Sequence, residues 1–297
     1  MIELAHPSSR QIVRLYPEAG CCAVSWSVEG REFLHLGQPL ERFLREEHTG
    51  GLPLLYPWAN RLRRDRWSYQ GTSVDLEGVP GVHRDAHGLP MHGLLLRWSD
   101  WSVSGGGDSC CASIEWDDHE RLMRGFPFSH RLQIGWSLDE QGLEVTTSIE
   151  AGDRPVPISF GWHPYLTLPG VARDEITLDL PSLSRVVLDP GGLPRGLPLE
   201  PVAAAVHGLA GHAWDDCFLG IEDGSRATIR GGDLSMNLEF IEGWTAMQIY
   251  SPEHADYVCL EPMTSMTAAL SGDCEPRHVR PGGSFTARFR LSVVDGS

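Results

Sequence analysis

The sequence predicts an all-β fold, a large antiparallel β-sandwich with few short helices. Short segments that alternate apolar and polar residues, or that are rich in β-branched residues, recur roughly every ten residues along most of the chain. Turn-forming groups such as Glu29-Gly30 and Glu222-Asp223-Gly224 lie between them. With 33 glycines and 21 prolines, the composition favours hairpins and loops over alternating strands and helices.

The strand pattern can be followed through the chain in order. Segments with this pattern occupy residues 11–16, 21–28, 31–36, 110–116, 130–138, 142–150, 175–180, 227–230, 234–240, 245–250, 257–260 and 284–294. Helical spacing is limited to residues 40–47, which predict one short helix, and 267–270, which predict a single turn. The triplet Gly105-Gly106-Gly107 falls between two strand patterns and predicts a hairpin turn.

Residues 181–211 are richer in Pro, Gly and Ala than their surroundings. Such a stretch could be a linker between two domains, but strand patterns continue on both sides of it. We therefore expect a long excursion within a single domain that spans residues 1–297. A chain of this length buries roughly 75 % of its unfolded surface, which is enough for one large core.

The charged residues exclude several classes of protein. All 24 basic residues are arginine, so the chain has no lysine. Pyridoxal-phosphate enzymes, Schiff-base aldolases, P-loop NTPases and protein kinases all need a lysine amine and are excluded. The 40 acidic residues give a net charge of −16, which opposes binding to duplex DNA or to an anionic membrane surface. We expect a small-molecule partner, with no nucleic acid and no membrane.

The N-terminal residues and the cysteines predict a cytoplasmic protein. Residues 1–20 carry charged side chains at Glu3, Arg10, Arg14 and Glu18 and lack the apolar centre of a secretory signal. No segment approaches the ~20 apolar residues of a membrane-spanning helix. The seven cysteines are odd in number and form no C-x-x-C or zinc-like spacing, which is typical of free thiols in a reducing compartment.

The segment PWANRL at residues 57–62 is the first candidate binding segment. Asn60 is one of only two asparagines, and it lies beside Arg61, a bidentate donor, and near Trp58, a flat apolar side chain. Aromatic rings stack on the C–H faces of sugars, and planar polar side chains bind pairs of hydroxyl groups. A proline-nucleated loop with a surface arginine is the structural alternative.

Two histidines interrupt the strand pattern next to unusual neighbours. His92 precedes a glycine and an apolar run, which would suit the edge of a cavity. His163 lies between Trp162 and a Pro-Tyr pair that ends at Tyr165, and the proline favours an extended backbone at His163. A structural histidine in the core or in a loop is the alternative for both.

Acidic residues complete the candidate set. Glu261 ends an apolar strand pattern and precedes a proline, where partial burial would raise the carboxyl pKa toward a range useful for acid–base catalysis. Asp215 and Asp216 are weaker candidates for binding hydroxyl groups. An ordinary carboxylate on a strand is the alternative for each of them.

Motifs for cofactors and metals do not occur in the sequence. His83, His87 and His92 lie close together, but in a Gly- and Pro-rich loop without the carboxylate and helix context of a metal site. There is no G-x-S-x-G and no G-x-G-x-x-G. We expect no metal and no organic cofactor.

Taken in order, these segments resemble the aldose 1-epimerase (galactose mutarotase-like) family. The matching pieces are PWANRL at 57–62, HG at 92–93, HPY at 163–165, DDCF at 215–218 and EPMT at 261–264. The ordered set on an all-β background is more specific than any single piece. The resemblance implies a large antiparallel β-supersandwich that binds a sugar in an open cleft.

The resemblance also implies how the chemistry proceeds. Glu261 matches the general base that takes the proton from the anomeric hydroxyl O1. His163 matches the general acid that protonates the ring oxygen O5, so that the C1–O5 bond breaks. His92 matches a second histidine that polarises the ring-oxygen side. Because a carboxyl with a pKa near ~4.3 is ionised and an imidazole near ~6.5 is partly protonated at neutral pH, we expect neither group to need strong tuning.

Sugar-binding residues follow from the same matches. Arg61 matches the arginine that orients the sugar, and Asp215, or Asp216 in its place, matches the aspartate that binds a hydroxyl group. The predicted catalytic residues are Glu261, His163 and His92, and the predicted substrate-binding residues are Arg61, Asn60, Asp215, Trp58, Trp162 and Tyr165.

One departure from the family concerns the wall of the expected cleft beside His163, the residue that matches the general acid. Many galactose mutarotases carry an asparagine-rich segment before a His-Tyr-Phe part, whereas residues 161–166 read GWHPYL here. Trp162 and Pro164 would alter this wall, so a preference for galactose does not follow from the resemblance.

Several functions remain open from the sequence. The first is a mutarotase for a free aldohexose or a related sugar. A hexose-phosphate mutarotase is the second, because Arg61, Arg63, Arg64 and Arg66 could clamp a phosphate. A third is a carbohydrate-binding or regulatory protein on this fold without turnover, and lyases or hydrolases on related sandwiches are a fourth. We expect a monomer or a homodimer.

Overall fold

A computed structural model of the chain describes residues 1–46, 48–272 and 276–296. Antiparallel strands make up most of the regular structure in these residues. In chain order they are β1 Ile2–His6, β2 Gln11–Tyr16, β3 Cys22–Val28, β4 Arg31–Glu32, β5 Leu54–Leu55, β6 Arg66–Tyr69, β7 Thr72–Asp75, β8 Ser102–Gly106, β9 Ser109–Glu115, β10 His130–Leu138, β11 Leu143–Ala151, β12 Val156–Pro157, β13 Gly161–Trp162, β14 Tyr165–Leu166, β15 Thr177–Leu180, β16 Leu183–Arg185, β17 Glu200–Val202, β18 Ala205–Gly208, β19 Trp214–Leu219, β20 Ser225–Gly231, β21 Leu234–Glu242, β22 Ala246–Ser251, β23 Val258–Met263, β24 His278–Val279 and β25 Ser284–Asp295.

Helices are short and lie between strands. The α-helices of the described residues are α1 Leu40–Phe43 and α2 Glu120–Gly125, and the 3₁₀ turns are Pro17–Ala19, Trp116–Asp118, Arg173–Glu175 and Ala269–Ser271. None of the helices found in the described residues is long and apolar enough to cross a membrane.

Two large sheets form the body of the molecule. One has nine strands in the order β18-β15-β20-β21-β25-β11-β10-β9-β8. The other has eight, in the order β17-β16-β19-β22-β23-β13-β5, with β14 also paired to β23. A four-stranded sheet, β1-β2-β3-β4, and the pairs β6-β7 and β12-β24 complete the architecture. The all-β prediction is confirmed.

The main core lies between the two large sheets. In the central strands alternating residues point to this interface, as the burial of every second residue in β10 shows. Trp136 of the nine-stranded sheet meets Trp162 of the eight-stranded sheet with ring centroids 6.1 Å apart. Leu260 and Ile249 belong to the same buried cluster. Each such side chain contributes roughly 1.5–3 kcal/mol when it is fully buried.

The opposite face of the eight-stranded sheet carries the polar residues of interest. Because side chains alternate along a strand, Glu261 lies on the other side of β23 from Leu260. A small apolar cluster that includes Cys217, Ala246 and Met263 lies on this second face. The eight-stranded sheet therefore has the main core on one face and, on the other, the polar residues of interest beside a small apolar cluster.

Most predicted strands have counterparts, and the bounds predicted at 11–16 and 130–138 are those of β2 and β10. Gly105-Gly106-Gly107 lies at the β8–β9 hairpin, as predicted. Within residues 181–211, β16 and β17 join the eight-stranded sheet and β18 joins the nine-stranded sheet. That placement suits an excursion within one domain, which remains a prediction.

The strand predicted at 31–36 is wrong beyond Glu32. The Glu32 carboxylate accepts hydrogen bonds from the backbone N–H groups of Trp26 and Leu34, at 2.8 and 3.0 Å, and so the chain leaves the ladder there. The helix predicted at 40–47 is shorter, ending at Phe43, and Glu47 lies outside the described residues.

Candidate functional site

A polar cleft opens on the second face of the eight-stranded sheet. Its volume is about 170 Å³. This is smaller than the roughly 300–1,000 Å³ of sites for drug-sized ligands, and it suits a small polar molecule. Its lining residues are Thr49, Asn60, Arg61, Met91, His92, His163, Tyr165, Asp215, Gln248, Tyr250 and Glu261.

Three neighbouring strands supply the floor of the cleft. Glu261 on β23 is directly opposite Gln248 on β22, and Asp215 on β19 is opposite Tyr250 on β22. Gln248 and Tyr250 are two residues apart, so all four side chains share one face of the sheet. The strand register alone therefore brings together groups that lie far apart in sequence.

A loop that packs against the sheet supplies the wall. Asn60 and His92 both have left-handed backbone conformations, with φ of +53° and +63°. The His92 N–H donates to the Asn60 carbonyl at 2.9 Å, which ties the two segments together. Left-handed residues other than glycine are strained and are enriched at functional sites. Gly93 is required next to His92, because a Cβ there would lie 2.0 Å from the Tyr56 carbonyl oxygen.

Glu261 and His163 form a buried pair at the base of the cleft. His163 Nε2 lies 3.3 Å from Glu261 Oε1, and both side chains are at most 6 % exposed. Burial, reinforced by the nearby Asp215, raises the pKa of Glu261 well above its ordinary value, while Arg61 opposes this shift. Burial lowers the pKa of His163. The expectation that neither group needs strong tuning is therefore wrong, because both are desolvated.

The ring of His163 is fixed by its neighbours. It stacks on Tyr165 with centroids 4.5 Å apart and planes at 5°, and the His92 ring meets its edge at 5.5 Å. Burial, followed by the proximity of His163 and His83, lowers the pKa of His92 well below its ordinary value. His163 Nδ1, His92 Nδ1 and Glu261 Oε2 are buried without a hydrogen-bond partner in the described part of the chain.

Gln248 links the loop to the floor. Asn60 Nδ2 donates to Gln248 Oε1 at 3.2 Å, and Gln248 Nε2 donates to Asp215 Oδ1 at 2.7 Å. Burial raises the pKa of Asp215, although Arg61 and the Gln248 hydrogen bond oppose the shift. The chain of hydrogen bonds orients the amide of Asn60 and the carboxylate of Asp215 relative to one another.

Arg61 is held at the rim by an ion pair. Its Nε donates to Asp85 Oδ2 at 2.7 Å, and its side chain is 19 % exposed. The backbone of Arg61 is fixed as well, since its carbonyl accepts from the Ala268 N–H at 2.9 Å. Among the described residues that line the cleft, the remaining guanidinium N–H groups of Arg61 are the only arginine donors.

Seven of the predicted site residues line this one cleft. They are Glu261, His163, His92, Arg61, Asn60, Asp215 and Tyr165. Between the two candidate aspartates, Asp215 faces the cleft, while Asp216 lies on the other side of β19 within 3.7 Å of Arg185.

Trp58 and Trp162 do not line the cleft, and their predicted contact with substrate is corrected. Both are fully buried in the main core. Trp162 pairs with Leu54 in the ladder and points between the sheets, where its Nε1 donates to Thr147 Oγ1 at 2.9 Å. The next residue, His163, points to the opposite side. The wall beside His163 is therefore Tyr165 rather than Trp162.

Several residues that line the cleft are not among the predicted site residues. Gln248 and Tyr250 lie in the strand predicted at 245–250, and Thr49 and Met91 lie outside every predicted strand. The available signal was a glutamine within an otherwise apolar strand pattern, because a polar side chain in such a strand needs hydrogen-bond partners.

The arginines that follow Arg61 do not converge on the cleft. The Arg63 guanidinium donates to the Pro194 carbonyl at 2.6 Å. Arg66 pairs on the surface with Asp75 and Glu77. Only Arg61 of the four lines the cleft. In the described ranges, no group of three His, Cys, Asp or Glu side chains is arranged to hold a metal ion.

Comparison with known proteins gives the family. A family model for aldose 1-epimerase matches residues 1–292. The chain belongs to the aldose 1-epimerase family. A relative, the uncharacterized protein YihR of Escherichia coli K12, is 26 % identical to this epimerase-family chain over 219 residues, which cover 71 % of this chain and 68 % of the relative.

Solved structures share the fold of this aldose 1-epimerase family member. The GalM/aldose epimerase homologue of C. elegans superimposes with a TM-score of 0.81 at 15 % identity, covering 100 % of this chain and 99 % of that one. The Slr1438 protein of Synechocystis sp. PCC 6803 has a TM-score of 0.80 at 24 % identity, with 99 % and 95 % covered. A galactose 1-epimerase of Lactobacillus acidophilus has a TM-score of 0.73 at 14 % identity, with 99 % and 94 % covered. At these identities the likeness establishes the galactose mutarotase-like fold.

Proposed function

We propose that this protein is an aldose 1-epimerase that interconverts the α and β anomers of a free aldohexose or a related sugar. The observation that carries the proposal is the buried pair of Glu261 and His163, 3.3 Å apart at the base of a polar cleft. Opening a sugar ring needs one proton removed and one delivered at neighbouring oxygens, with no nucleophile or redox step. A carboxylate beside an imidazole is suited to this task.

The proposed reaction moves one proton in each direction. Glu261 takes the proton from O1–H while His163 gives a proton to O5. The C1–O5 bond breaks, a C1=O1 carbonyl forms, and the open aldehyde rotates about C1–C2. Reclosure on the other face of C1 reverses both transfers and gives the opposite anomer. The ionic pair, with a carboxylate and an imidazolium, thus becomes a neutral pair on opening and returns on closure.

Burial favours the neutral form of this pair, so forming the ionic pair that starts the reaction costs free energy, and ring opening returns the pair to its favoured form. The desolvation that raises the pKa of Glu261 and lowers that of His163 makes transfer of the proton toward the carboxylate more favourable. The pair carries one proton before and after opening, so no net charge has to leave the cleft. Its two groups behave as a coupled unit rather than as two independent sites.

Polar groups around the pair would hold the sugar hydroxyls. Arg61 and Asn60 offer donors from the loop, and Asp215 offers an acceptor from the floor. Gln248 orients both Asn60 and Asp215. His92, kept neutral by burial, can accept or donate one hydrogen bond on the ring-oxygen side.

An uncharged sugar fits the cleft better than a phosphorylated one. Arg61 already pairs with Asp85, and Asp215 adds a carboxylate at the floor. Arg63 and Arg66 are engaged elsewhere. A hexose phosphate would therefore meet little uncompensated positive charge.

The expected setting of the protein is the cytoplasm. Six cysteines are free in the described residues, and most of them are buried. Burial raises the pKa of Cys22 to about 12, which keeps it in the protonated, unreactive form. We propose a small carbohydrate as partner, no cofactor, and a monomer or homodimer.

Exchange NMR between α and β anomers tests this function over a panel of free and phosphorylated aldoses. We expect the protein to accelerate exchange of at least one free aldose and to act more slowly on hexose 6-phosphates. Faster turnover of the phosphates would favour the hexose-phosphate alternative. Saturable sugar binding without any acceleration would favour a non-catalytic binding protein.

A further inference from the structure

Two turns that share a sequence motif and a backbone conformation flank the guanidinium of Arg61. The chain carries D-x-x-G-L-P twice, as DAHGLP at residues 85–90 and as DPGGLP at 189–194. In both, the first and fifth residues bond through their backbones, Asp85 N–H to Leu89 carbonyl at 3.0 Å and Asp189 N–H to Leu193 carbonyl at 2.8 Å.

The aspartate caps each turn in the same way. Asp85 Oδ1 accepts from the N–H groups of His87 and Leu89, both at 2.9 Å. Asp189 Oδ1 accepts from Gly191 at 2.8 Å and from Leu193 at 3.0 Å. One carboxylate oxygen thus accepts both backbone N–H groups of the turn, and the other can accept a hydrogen bond from a neighbouring side chain.

The glycine of each turn has the same left-handed backbone. The φ angles of Gly88 and Gly192 are +78° and +75°. Their N–H groups donate to the carbonyls of Asp85 and Asp189 at 3.0 and 2.9 Å. The two turns are therefore copies of one local structure at two places in the fold.

Each turn contacts Arg61 through a different group. The first turn gives its free carboxylate oxygen, since Asp85 Oδ2 accepts from Arg61 Nε at 2.7 Å and the Asp85 side chain is 5 % exposed. The second turn gives its glycine backbone. A Cβ on Gly192 would lie 2.8 Å from Arg61 Nη1 and 3.0 Å from Cζ. A Cβ on Gly88 would meet nothing within 4 Å in the described residues.

We propose that these two D-x-x-G-L-P turns form a clamp that fixes the Arg61 guanidinium toward the cleft, with Asp85 and Gly192 as positioning residues for sugar binding. The carboxylate holds the Nε edge, and the bare backbone at Gly192 limits movement of the Nη1 side. A long arginine side chain at the rim would otherwise lose several rotamers on binding a sugar. Holding it in advance lowers that cost.

Because the two turns are alike but contact Arg61 through different residues, each turn provides a matched control variant for the other. Asp85→Asn and Asp189→Asn are the same chemical change at the same turn position, and the amide oxygen can still accept the two backbone N–H groups. Only the first also removes the acceptor for Arg61. Gly192→Ala and Gly88→Ala likewise place the same methyl at the same φ, and only the first crowds Arg61.

A measurement that does not depend on turnover tests the clamp itself. The Arg61 Nε–H is recorded in a ¹⁵N–¹H correlation spectrum and assigned from its absence in Arg61→Gln. We expect a signal that exchanges slowly with water in the wild type and in Asp189→Asn and Gly88→Ala, and a signal that is lost or exchanges at least ~10-fold faster in Asp85→Asn. An unchanged signal in Asp85→Asn would overturn the clamp.

Kinetics then test the role in sugar binding, which rests on the proposed function. Asp85→Asn should raise KM about tenfold, the factor that loss of one charge-assisted hydrogen bond corresponds to, with a smaller change in kcat. Gly192→Ala should also raise KM more than kcat changes, because its methyl group displaces Arg61 Nη1. The two control variants should stay within about twofold of wild type. In an Arg61→Ala background, Asp85→Asn should add less than about twofold, because its effect acts through Arg61.

Failure of the proposed function and failure of the clamp would give different results. An absence of anomer exchange in every variant together with the expected NMR signals would remove the proposed function and leave the clamp intact. Equal losses in Asp85→Asn and Asp189→Asn, or an undiminished effect of Asp85→Asn in the Arg61→Ala background, would show that the turns matter only for folding and would overturn the positioning role.

Discussion

Single residues in this chain have roles that their immediate neighbours in sequence do not share. Trp162 and His163 are adjacent, yet one lies in the main core and the other in the cleft. In the same way, Asp215 faces the cleft and Asp216 lies on the other side of β19. The alternation of side chains along an extended backbone accounts for both cases.

The alkaline limb of the pH profile should be governed by Glu261 and its neighbour Asp215. The pair needs its one proton to act, and burial places that proton on Glu261, so activity falls as the pH rises through the raised pKa of Glu261. Since the Asp215 carboxylate contributes to that raised pKa, Asp215→Asn should move the alkaline limb of kcat to lower pH, besides raising KM. Profiles over neutral and alkaline pH would check this, and a limb that stays in place or moves to higher pH would contradict it.

A variant of Trp162 separates its place in the core from a role in binding. Trp162→Phe removes the hydrogen bond to Thr147 and some buried volume, which should lower the free energy of unfolding by about 2 kcal/mol. The KM for the sugar should change less than about twofold, because Trp162 does not reach the cleft. Denaturant unfolding and anomer-exchange kinetics measure the two quantities. A large rise in KM with unchanged stability would restore Trp162 to the binding site.

The sequence revealed the site residues that interrupt the strand pattern but not those that lie within a regular strand. Glu261, His163 and His92 stand beside prolines, glycines or aromatic residues that interrupt the strand pattern, and Arg61 stands beside one of the two asparagines, so they were identifiable. Gln248 sits inside a regular strand, and its role arises only from the register of β19, β22 and β23. Register is set by pairing between distant segments, which local sequence does not specify.

At the scale of elements, long strands were predictable and short ones were not. β10 and β25 have enough residues for the period of two to be recognised, whereas β5, β13 and β14 contain two residues each. These short strands nevertheless place His163 and its neighbours. β13 and β14 pair with the longer β23, and β5 pairs with β13, so tertiary contacts rather than local preference determine them.

The start of β10 is joined to the segment that leads into the loop of the site. His130 Nε2 lies 2.6 Å from the Tyr56 hydroxyl, and its Nδ1 lies 2.6 Å from the Phe128 carbonyl. A neutral imidazole satisfies both contacts by donating to the carbonyl and accepting from the hydroxyl. Burial lowers the pKa of His130 to about 4.

This contact predicts part of the pH dependence of stability. The unfolded chain binds a proton at His130 near the ordinary pKa of about 6.5, but the folded chain does not until about pH 4. Stability from His130 is therefore fully present above pH 6.5 and is lost as the pH falls toward 4, by about 3 kcal/mol in all. His130→Gln should flatten the fall in unfolding free energy over this range, measured by denaturant titration at each pH. A slope equal to that of the wild type would contradict the assignment.

At the scale of the whole molecule, composition excluded functions but did not identify one. A chain without lysine cannot perform amine chemistry with its side chains, and the proposed reaction needs only a carboxylate, imidazoles and a guanidinium. The all-β class followed from spacing and turns. The division into two large sheets, with a core on one face of the eight-stranded sheet and a cleft on the other, required long-range pairing that sequence patterns do not encode.

The central claim is that Glu261 exchanges protons with the anomeric centre of a sugar. The most direct measurement compares anomer exchange for the wild type, Glu261→Gln and Glu239→Gln, where Glu239 undergoes the same chemical change on β21 of the other large sheet. We predict that the wild type and Glu239→Gln accelerate exchange equally, and that Glu261→Gln loses at least ~100-fold in kcat while it remains folded. Retained activity in folded Glu261→Gln would contradict the account.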